Sequence, residues 1–290
     1  MKTKEGACRT SALQITPEQH NRAVAAAANR KEDPLKKWTR PKKEECPICM
    51  LPMPIHPKET INCATCGITV CTGCKIGTGI AHMRDGGDAK TAMEMSATCP
   101  YCQSKITKTT ALCDYQSQLE KEMKRVDAGN GEAMRRMGGY YYMGEMGLRQ
   151  DKAEGLKWYR RAEEAGNGKA AYNVGIFYLN GDGVEQDYAK AFEFFQKAAK
   201  LGDTHAFFQV GRFQMSIGKI EEGMLNYRKA AICGMSDEWL FDQLRWGFKD
   251  GYITKDEYAY TLRENQIACN EMKSEERDTW KENFNKWMGD

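Results

Sequence analysis

Eight cysteines between residues 46 and 102 form four C-x-x-C pairs, and this spacing points to metal chemistry. The pairs are Cys46/Cys49, Cys63/Cys66, Cys71/Cys74 and Cys99/Cys102. A C-x-x-C turn directs two thiolates at one ion, and two such pairs complete a tetrahedral four-cysteine zinc site with Zn–S distances of about 2.3 Å. The sequence therefore predicts two Zn²⁺ ions per chain, held by all eight cysteines.

A disulfide framework is the alternative interpretation of these cysteines, and it requires an oxidising compartment. The N-terminal segment MKTKEGACRTSALQ lacks the apolar stretch of a secretory signal, and no run of about 18 apolar residues exists. We therefore expect an intracellular protein, cytoplasmic or nuclear, without a membrane span. In that setting clustered C-x-x-C pairs favour metal over disulfides. The other four cysteines are scattered and are predicted to be ordinary thiols: Cys8, Cys113, Cys233 and Cys269.

The spacing alone leaves open how the cysteine pairs share their ions. Either neighbouring pairs share one ion, which puts the cysteines of residues 63–74 in a single site, or the pairs interleave, first with third and second with fourth. His56 and His82 lie in the same segment. Because eight cysteines already fill two tetrahedral sites, both histidines are predicted not to bind metal.

The cysteine segment resembles a RING finger in three motifs: CPIC at 46–49, CGITVCTGC at 66–74 and CPYC at 99–102. The resemblance implies a small α+β domain with interleaved, cross-brace sites. One ion is then held by Cys46, Cys49, Cys71 and Cys74, and the other by Cys63, Cys66, Cys99 and Cys102. The second ligand pair lacks the histidine of most RING fingers, as in the all-cysteine subclass.

RING fingers mostly act as ubiquitin ligases, which hold a ubiquitin-charged conjugating enzyme near a target and form no covalent intermediate, so their effect comes from proximity and orientation. The resemblance implies that Ile48 and Pro100 contact the conjugating enzyme. The central-helix contact falls on Ile80 or Met83, because no Trp is present there, and Gln103 stands where many active ligases have Arg or Lys. These departures leave a non-catalytic, zinc-stabilised interaction scaffold as the alternative function.

The first 43 residues are basic, with eleven basic and four acidic side chains in a chain whose net charge is +3. Thr16 before Pro17, followed by an alanine-rich stretch to Ala28, predicts one short helix. The Pro-interrupted segment after it is typical of a solvated linker. The rest of the chain is mildly acidic, which argues against a nucleic-acid-binding body.

From Asn130 the sequence repeats itself after 36 or 37 residues, which predicts stacked helical pairs. A third copy is shorter and lacks a glycine-rich loop. Gly166 and Gly202 are predicted to end second helices. Small residues recur where two helices must approach, and aromatic residues and alanines recur along the second helices: Ala133/Ala170/Ala206, Gly138/Gly175/Gly211, Trp158/Phe194, Tyr159/Phe195/Tyr227 and Ala162/Ala198/Ala230.

The copies resemble Sel-1-like repeats, relatives of the tetratricopeptide repeat, in G-D-G-V-x-x-D at 181–187, A-F-x-F-F-x-K-A-A at 191–199 and the looser G-x-x-G-L-x-x-D at 144–151. The resemblance implies a mostly α chain in which an α/α helical-repeat solenoid follows the zinc domain. The predicted boundaries are a largely disordered tail at 1–43, a zinc domain at 44–106, a linker helix at 107–129, repeats at 130–235 and a helical cap at 236–290.

Repeats of this kind bind proteins or peptides on a concave face lined by their first helices. Two positions before the recurring glycine stand Arg136, Asn173 and Gln209, and the context YNVG around Asn173 is similar to tetratricopeptide clamps. Polar residues on an exposed helix face also need no binding role. The predicted partners are thus a ubiquitin-conjugating enzyme and a protein or peptide target, with no membrane contact.

Overall fold

The structure, a computed structural model, describes residues 15–42, 60–62, 69–71 and 112–272. These residues are mostly α-helical, as the sequence predicts. They divide into two compact units: one joins residues 15–40 to 204–265, and the other holds the remaining described residues. None of the described helices is both long and apolar enough to span a membrane.

Helix α1 (Pro17–Ala28) begins where the sequence predicts it. The Thr16 hydroxyl accepts a hydrogen bond from the Gln19 amide at 3.2 Å, and the Gln19 side chain accepts one from the Thr16 amide at 2.9 Å. This capping box satisfies two amides that a helix start leaves free, and proline suits the first helical position. Ala23 and Ala27 form the buried face of the helix.

The strands β1 (Thr60–Asn62) and β2 (Thr69–Cys71) pair antiparallel, with Thr60 opposite Cys71 and Asn62 opposite Thr69. Six residues of sequence connect the two strands. The rest of the predicted zinc segment lies outside the described residues.

Helix α2 (Leu112–Asp127) precedes two helical pairs, α3 (Gly131–Met143) with α4 (Lys152–Glu164) and α5 (Gly168–Asn180) with α6 (Tyr188–Lys200). Each helix packs on the one before it. Both pairs use the same caps: Asn130 and Asn167 start the first helices, and Asp151 and Asp187 start the second, each accepting a hydrogen bond from the amide three residues on.

The predicted ends of the second helices are confirmed. Gly166 and Gly202 have φ values of 82° and 87°, a left-handed conformation that glycine adopts without steric cost. The amides that follow, at Asn167 and Asp203, bond back to Ala162 and Ala198 carbonyls at 3.0 Å.

The unit of residues 15–40 and 204–265 contains the third pair, α7 (Thr204–Ser216) with α8 (Ile220–Ile232). It also contains α9 (Glu238–Lys249) and, up to residue 265, α10 (Lys255–Glu271). Three residues join α7 to α8, whereas eight and seven residues join the helices of the first two pairs. The third copy is therefore a shortened pair, as predicted. Helices α9 and α10 lie within the predicted helical cap, and the chain beyond residue 272 lies outside the described residues.

Residues 30–38, named the strap from here on, differ from the solvated linker expected after α1. The Asp33 and Leu35 side chains are buried, and the Trp38 ring lies edge-on to Phe207 of α7 at 5.7 Å. Helix α1 itself packs on α8. The strap therefore belongs to the same compact unit as the third helical pair.

Candidate functional site

In all three helical pairs an aromatic ring of the second helix lies directly against the recurring glycine of the first. A Cβ atom added to the glycine would approach the ring more closely than real Cβ contacts do. The distances are 2.9 Å for Gly138 with Tyr159, 2.6 Å for Gly175 with Phe195 and 2.7 Å for Gly211 with Tyr227. The predicted close approach of the two helices is confirmed. The recurring aromatic residues of the second helices are the groups that the glycines contact.

Arg136, the first predicted partner-binding residue, lies on α3 but pairs with α2. Its Nε and Nη2 donate to Glu122 Oε2 at 3.2 and 2.9 Å, and the Glu122 side chain is only 2% exposed. Arg125 Nη1 donates to the other oxygen of Glu122 at 2.8 Å. Arg136 Nη1 is buried without a hydrogen-bond partner. The guanidinium therefore joins the two helices.

Glu132 links the first two repeats through charge and hydrogen bonds. It accepts two hydrogen bonds from Arg135, at 2.7 and 2.8 Å, and one from Asn167 Nδ2 at 3.1 Å. Burial acts to raise the pKa of Glu132, but the hydrogen bond and charge of Arg135, the charge of Lys169 and the hydrogen bond from Asn167 together leave the pKa lowered. Asn167 thus has a second role beyond capping α5.

Asn173 and Gln209, the other two predicted partner-binding residues, are half-buried on first helices. The Asn173 side chain lies near the Tyr159 hydroxyl, whose pKa is raised mainly by burial. Gln209 Oε1 accepts a bond from Arg212 Nη1 at 3.4 Å. Arg136 and Asn173 lie on consecutive first helices, whereas Gln209 belongs to the other compact unit.

The glycine-rich loop between α5 and α6 contacts the preceding pair through Asp182. Its Oδ1 accepts a bond from Lys152 Nζ, and its Oδ2 accepts one from the Tyr142 hydroxyl at 3.2 Å. Burial acts to raise the pKa of Asp182, but the hydrogen bond and charge of Lys152, with the hydrogen bonds from Asn180 and Tyr142, together leave the pKa lowered. Asp182 of the G-D-G motif therefore fastens one repeat to the next, a role that the sequence analysis missed.

Most of the predicted metal site lies outside the described residues. Only Cys71 falls inside them, where its backbone ends β2. Among the residues that the structure describes, no group of three or more His, Cys, Asp and Glu side chains could hold a metal ion. The zinc ions, the ligand sharing and the predicted enzyme contacts therefore stay predictions; those contacts, Ile48, Ile80, Met83, Pro100 and Gln103, also lie outside the described residues, as do His56 and His82.

The strap introduces a buried network of alternating charges. Arg228 of α8 is 1% exposed, and its guanidinium donates to Asp33 Oδ2 and, at 2.9 Å, to Thr261 Oγ1. Its Nη1 lies 3.3 Å from Glu257 Oε1, which also pairs with Arg30. Sequence reasoning missed this network because Asp33 and Arg228 are 195 residues apart and no local pattern relates them.

Comparison with known proteins identifies the repeats. Residues 131–167 and 168–203 match the Sel1 repeat, so this part of the chain carries two consecutive Sel1 repeats. No curated protein sequence is significantly similar to the chain.

The solved structures that resemble the chain include two that are below 25% identity to it. A Sel1 repeat protein from Oxalobacter formigenes is 21% identical, with a TM-score of 0.46, covering 66% of this chain and 84% of its own. The protective antigen c5321 of uropathogenic Escherichia coli, which displays an SLR fold, is 24% identical, with a TM-score of 0.44. That match covers 68% of this chain but only 38% of the antigen.

Proposed function

We propose that the helical repeats bind a protein target and that the chain works as an interaction scaffold carrying a zinc module. The observation that carries this proposal is the pair of consecutive Sel1 repeats at 131–203. Stacked helical repeats present extended surfaces formed by equivalent positions of successive helices, which suits them to bind other proteins. Asn173, half-buried on a first helix, is a predicted contact that lies within the matched Sel1 repeats.

Site-specific photo-crosslinking tests the target-binding face. A photo-crosslinking amino acid replaces Asn173 on α5, and the matched control replaces Glu193, which is exposed on the second helix α6. The proposal expects a discrete crosslinked protein from position 173 that excess unlabelled wild-type chain competes away. Equal crosslinking from both positions, or none from position 173 in a chain of native helix content, would contradict it.

The finer form of the proposal is a RING-type ubiquitin ligase. Its support is the set of four C-x-x-C pairs, together with the motifs CPIC at 46–49 and CPYC at 99–102 that resemble a RING finger.

The interleaved arrangement of the two ions is part of this form of the proposal and rests on the resemblance to a RING finger. In that arrangement Cys71 joins the first cysteine pair, and Cys63 joins the last.

Within this proposal the zinc ions would be structural, because each has four protein ligands and no open position. Ile48, Pro100 and either Ile80 or Met83 would contact the conjugating enzyme, and the repeats would hold the target nearby. Gln103 would offer a hydrogen bond to ubiquitin where a charged residue is more usual. The rate gain would come from proximity and orientation alone.

A ubiquitin-transfer assay with a broad panel of conjugating enzymes, run beside metal analysis, tests the ligase. We expect two zinc ions per chain and transfer that Ile48→Ala abolishes without changing the zinc content. Gln103→Arg is expected to raise the transfer rate, and Lys157→Ala, on an exposed face of the repeats, serves as the neutral control. Two zinc ions without transfer would favour the scaffold alternative, and fewer than two would show that the module assignment is wrong.

A further inference from the structure

We propose that the surface beneath the strap, in the unit of residues 15–40 and 204–265, is a peptide-binding groove and that the strap is its resident ligand. The groove is formed by α8, α10 and the start of α7. Its ligand is a protein segment that carries a basic residue, an acidic residue three positions later, an apolar residue two positions after that, and an aromatic residue three positions further on. In this chain those residues are Arg30, Asp33, Leu35 and Trp38. The proposal concerns this unit alone and does not depend on ligase activity.

The charges indicate that the strap can leave the groove. The strap contributes Arg30 and Asp33, and the groove contributes Glu257 and Arg228. When the strap is bound, each strap charge pairs with an opposite charge of the groove. When it leaves, Arg228 and Glu257 still face each other at 3.3 Å, so no buried charge is left alone. A buried charge without a partner is what makes such contacts costly to break.

Alternate side chains of the strap are buried. Asp33 and Leu35 are 8% and 1% exposed, whereas Glu32, Pro34 and Lys36 between and beside them are exposed. The Lys36 and Trp38 amides bond to the Asp33 and Leu35 carbonyls at 3.1 and 3.2 Å, so two successive turns carry the buried side chains into the groove. The Tyr260 hydroxyl of α10 also reaches the Leu35 carbonyl at 3.4 Å.

The aromatic end of the strap makes a second contact, with α7 and α8. The Trp38 ring is edge-on to Phe207, and Lys229 Nζ lies 5.7 Å from the Trp38 ring centre and 5.8 Å from that of Phe207. Burial lowers the pKa of Lys229. A cation held against two rings favours an aromatic side chain in the ligand, since the ring face attracts positive charge.

A surface pocket of about 180 Å³, half open to solvent, lies beside the strap. It is lined by Arg30 and Pro34 of the strap, by Met224 and Arg228 of α8, and by Tyr252, which precedes α10. The edge of the strap contact is therefore accessible from the solvent, which a competing segment would need in order to bind.

Peptide binding to the full-length chain tests the proposal. The probe is a fluorescent peptide with the sequence of residues 28–40, ANRKEDPLKKWTR. The receptor is a full-length variant in which Asp33, Leu35 and Trp38 of its own strap are replaced by alanine while the groove is unchanged. Fluorescence anisotropy compares it with the wild-type chain, whose tethered strap competes at an effective concentration on the order of 1 mM.

We expect the strap variant to bind the probe at least about tenfold more tightly than the wild-type chain does, because it lacks the tethered competitor. Adding Arg228→Met to the strap variant should abolish binding, and a probe with Asp33→Asn should bind more weakly than the native probe. A strap variant of native helix content that binds no probe would overturn the proposal. A wild-type chain that dimerises by exchanging straps would also overturn it, because the groove would then serve a second copy.

Hydrogen exchange of the wild-type chain gives an independent test if the strap variant does not fold. The amides of Lys36 and Trp38, which bond within the strap, should exchange through an opening that leaves the α8 amides of Ala230 and Ala231 protected. Exchange of the strap amides only at the α8 rate would show that the strap is an integral part of the unit, and the proposal would fail.

Discussion

Replacing Gly175 with alanine should destabilise the second repeat through one contact. The new Cβ would lie 2.6 Å from Phe195 Cε1 and 2.8 Å from its Cδ1. Carbon atoms prefer separations of about 3.5–4.0 Å, so the methyl group would overlap the ring by about 1 Å. Phe195 is fully buried and packs against Tyr172 at 5.5 Å between ring centres, so the ring has little room to move away.

Two opposing effects set the size of this change. Overpacking of a core costs about 1–3 kcal/mol, whereas alanine in a helix interior is favoured over glycine by about 1 kcal/mol. The net loss in the free energy of unfolding should therefore be about 1 kcal/mol. Gly139→Ala on α3 is the matched control, because its added Cβ would lie at an ordinary 3.6 Å from the Tyr159 hydroxyl. The control should gain about 0.5–1 kcal/mol from helix propensity alone.

Urea denaturation followed by circular dichroism measures both variants. The decisive quantity is the difference between the free energies of unfolding of the two variants. We expect it to be about 2 kcal/mol, from the costs of overpacking and the gain in helix propensity. Among the three recurring glycines, Gly175 should be the most sensitive and Gly138 the least, because their added Cβ atoms would approach the rings to 2.6 and 2.9 Å. Equal stabilisation by Gly175→Ala and Gly139→Ala would show that contact with the ring does not explain the requirement for glycine at position 175.

Two further substitutions test the ion pairs of the repeats. Asp182→Asn should lower the stability by about 0.5–1 kcal/mol at neutral pH, as expected for a partly exposed ion pair. The pKa of Asp182 is lowered in the folded chain. Its contribution to the stability is therefore fully present at pH values above the ordinary pKa of Asp, and it is lost as the pH falls through the folded pKa. The melting temperatures of wild type and variant should therefore converge in acid; a constant difference from pH 7 to pH 2 would contradict the assignment. Arg136→Met leaves buried Glu122 with Arg125 alone and should cost about 3 kcal/mol in urea denaturation, while Lys157→Met, at an exposed pair, should show no measurable change.

The periodic part of the fold could be predicted because each repeat uses the same contacts. Gly138, Gly175 and Gly211 recur at one position of the sequence, and each meets an aromatic ring that recurs at another. The helix ends could be predicted for a related reason, since Gly166 and Gly202 report a local backbone conformation. Contacts that repeat, or that lie within a few residues, leave a pattern in a single sequence.

The strap could not be predicted because its contacts neither repeat nor lie close in sequence. Its basic, Pro-interrupted composition is typical of a solvated linker, yet Asp33 pairs with Arg228 and Arg30 with Glu257. Net charge counts charged groups without showing which of them are paired. The same limit applies to Arg136, which has the helical position of a binding residue but bonds to a carboxylate on α2.

The contacts that the predicted partner-binding residues already make determine which of them could bind a target. Releasing Arg136 would separate a buried ion pair, which costs about 3–5 kcal/mol, and would reduce the affinity for a target by more than a hundredfold at about 1.4 kcal/mol per factor of ten. Asn173 is half-buried and uncharged, so recruiting it to a target would separate no ion pair. Gln209 would give up a bond of 3.4 Å to Arg212, in the other unit. Within the Sel1 repeats, a target is therefore expected to contact α5 at Asn173 and not α3 at Arg136.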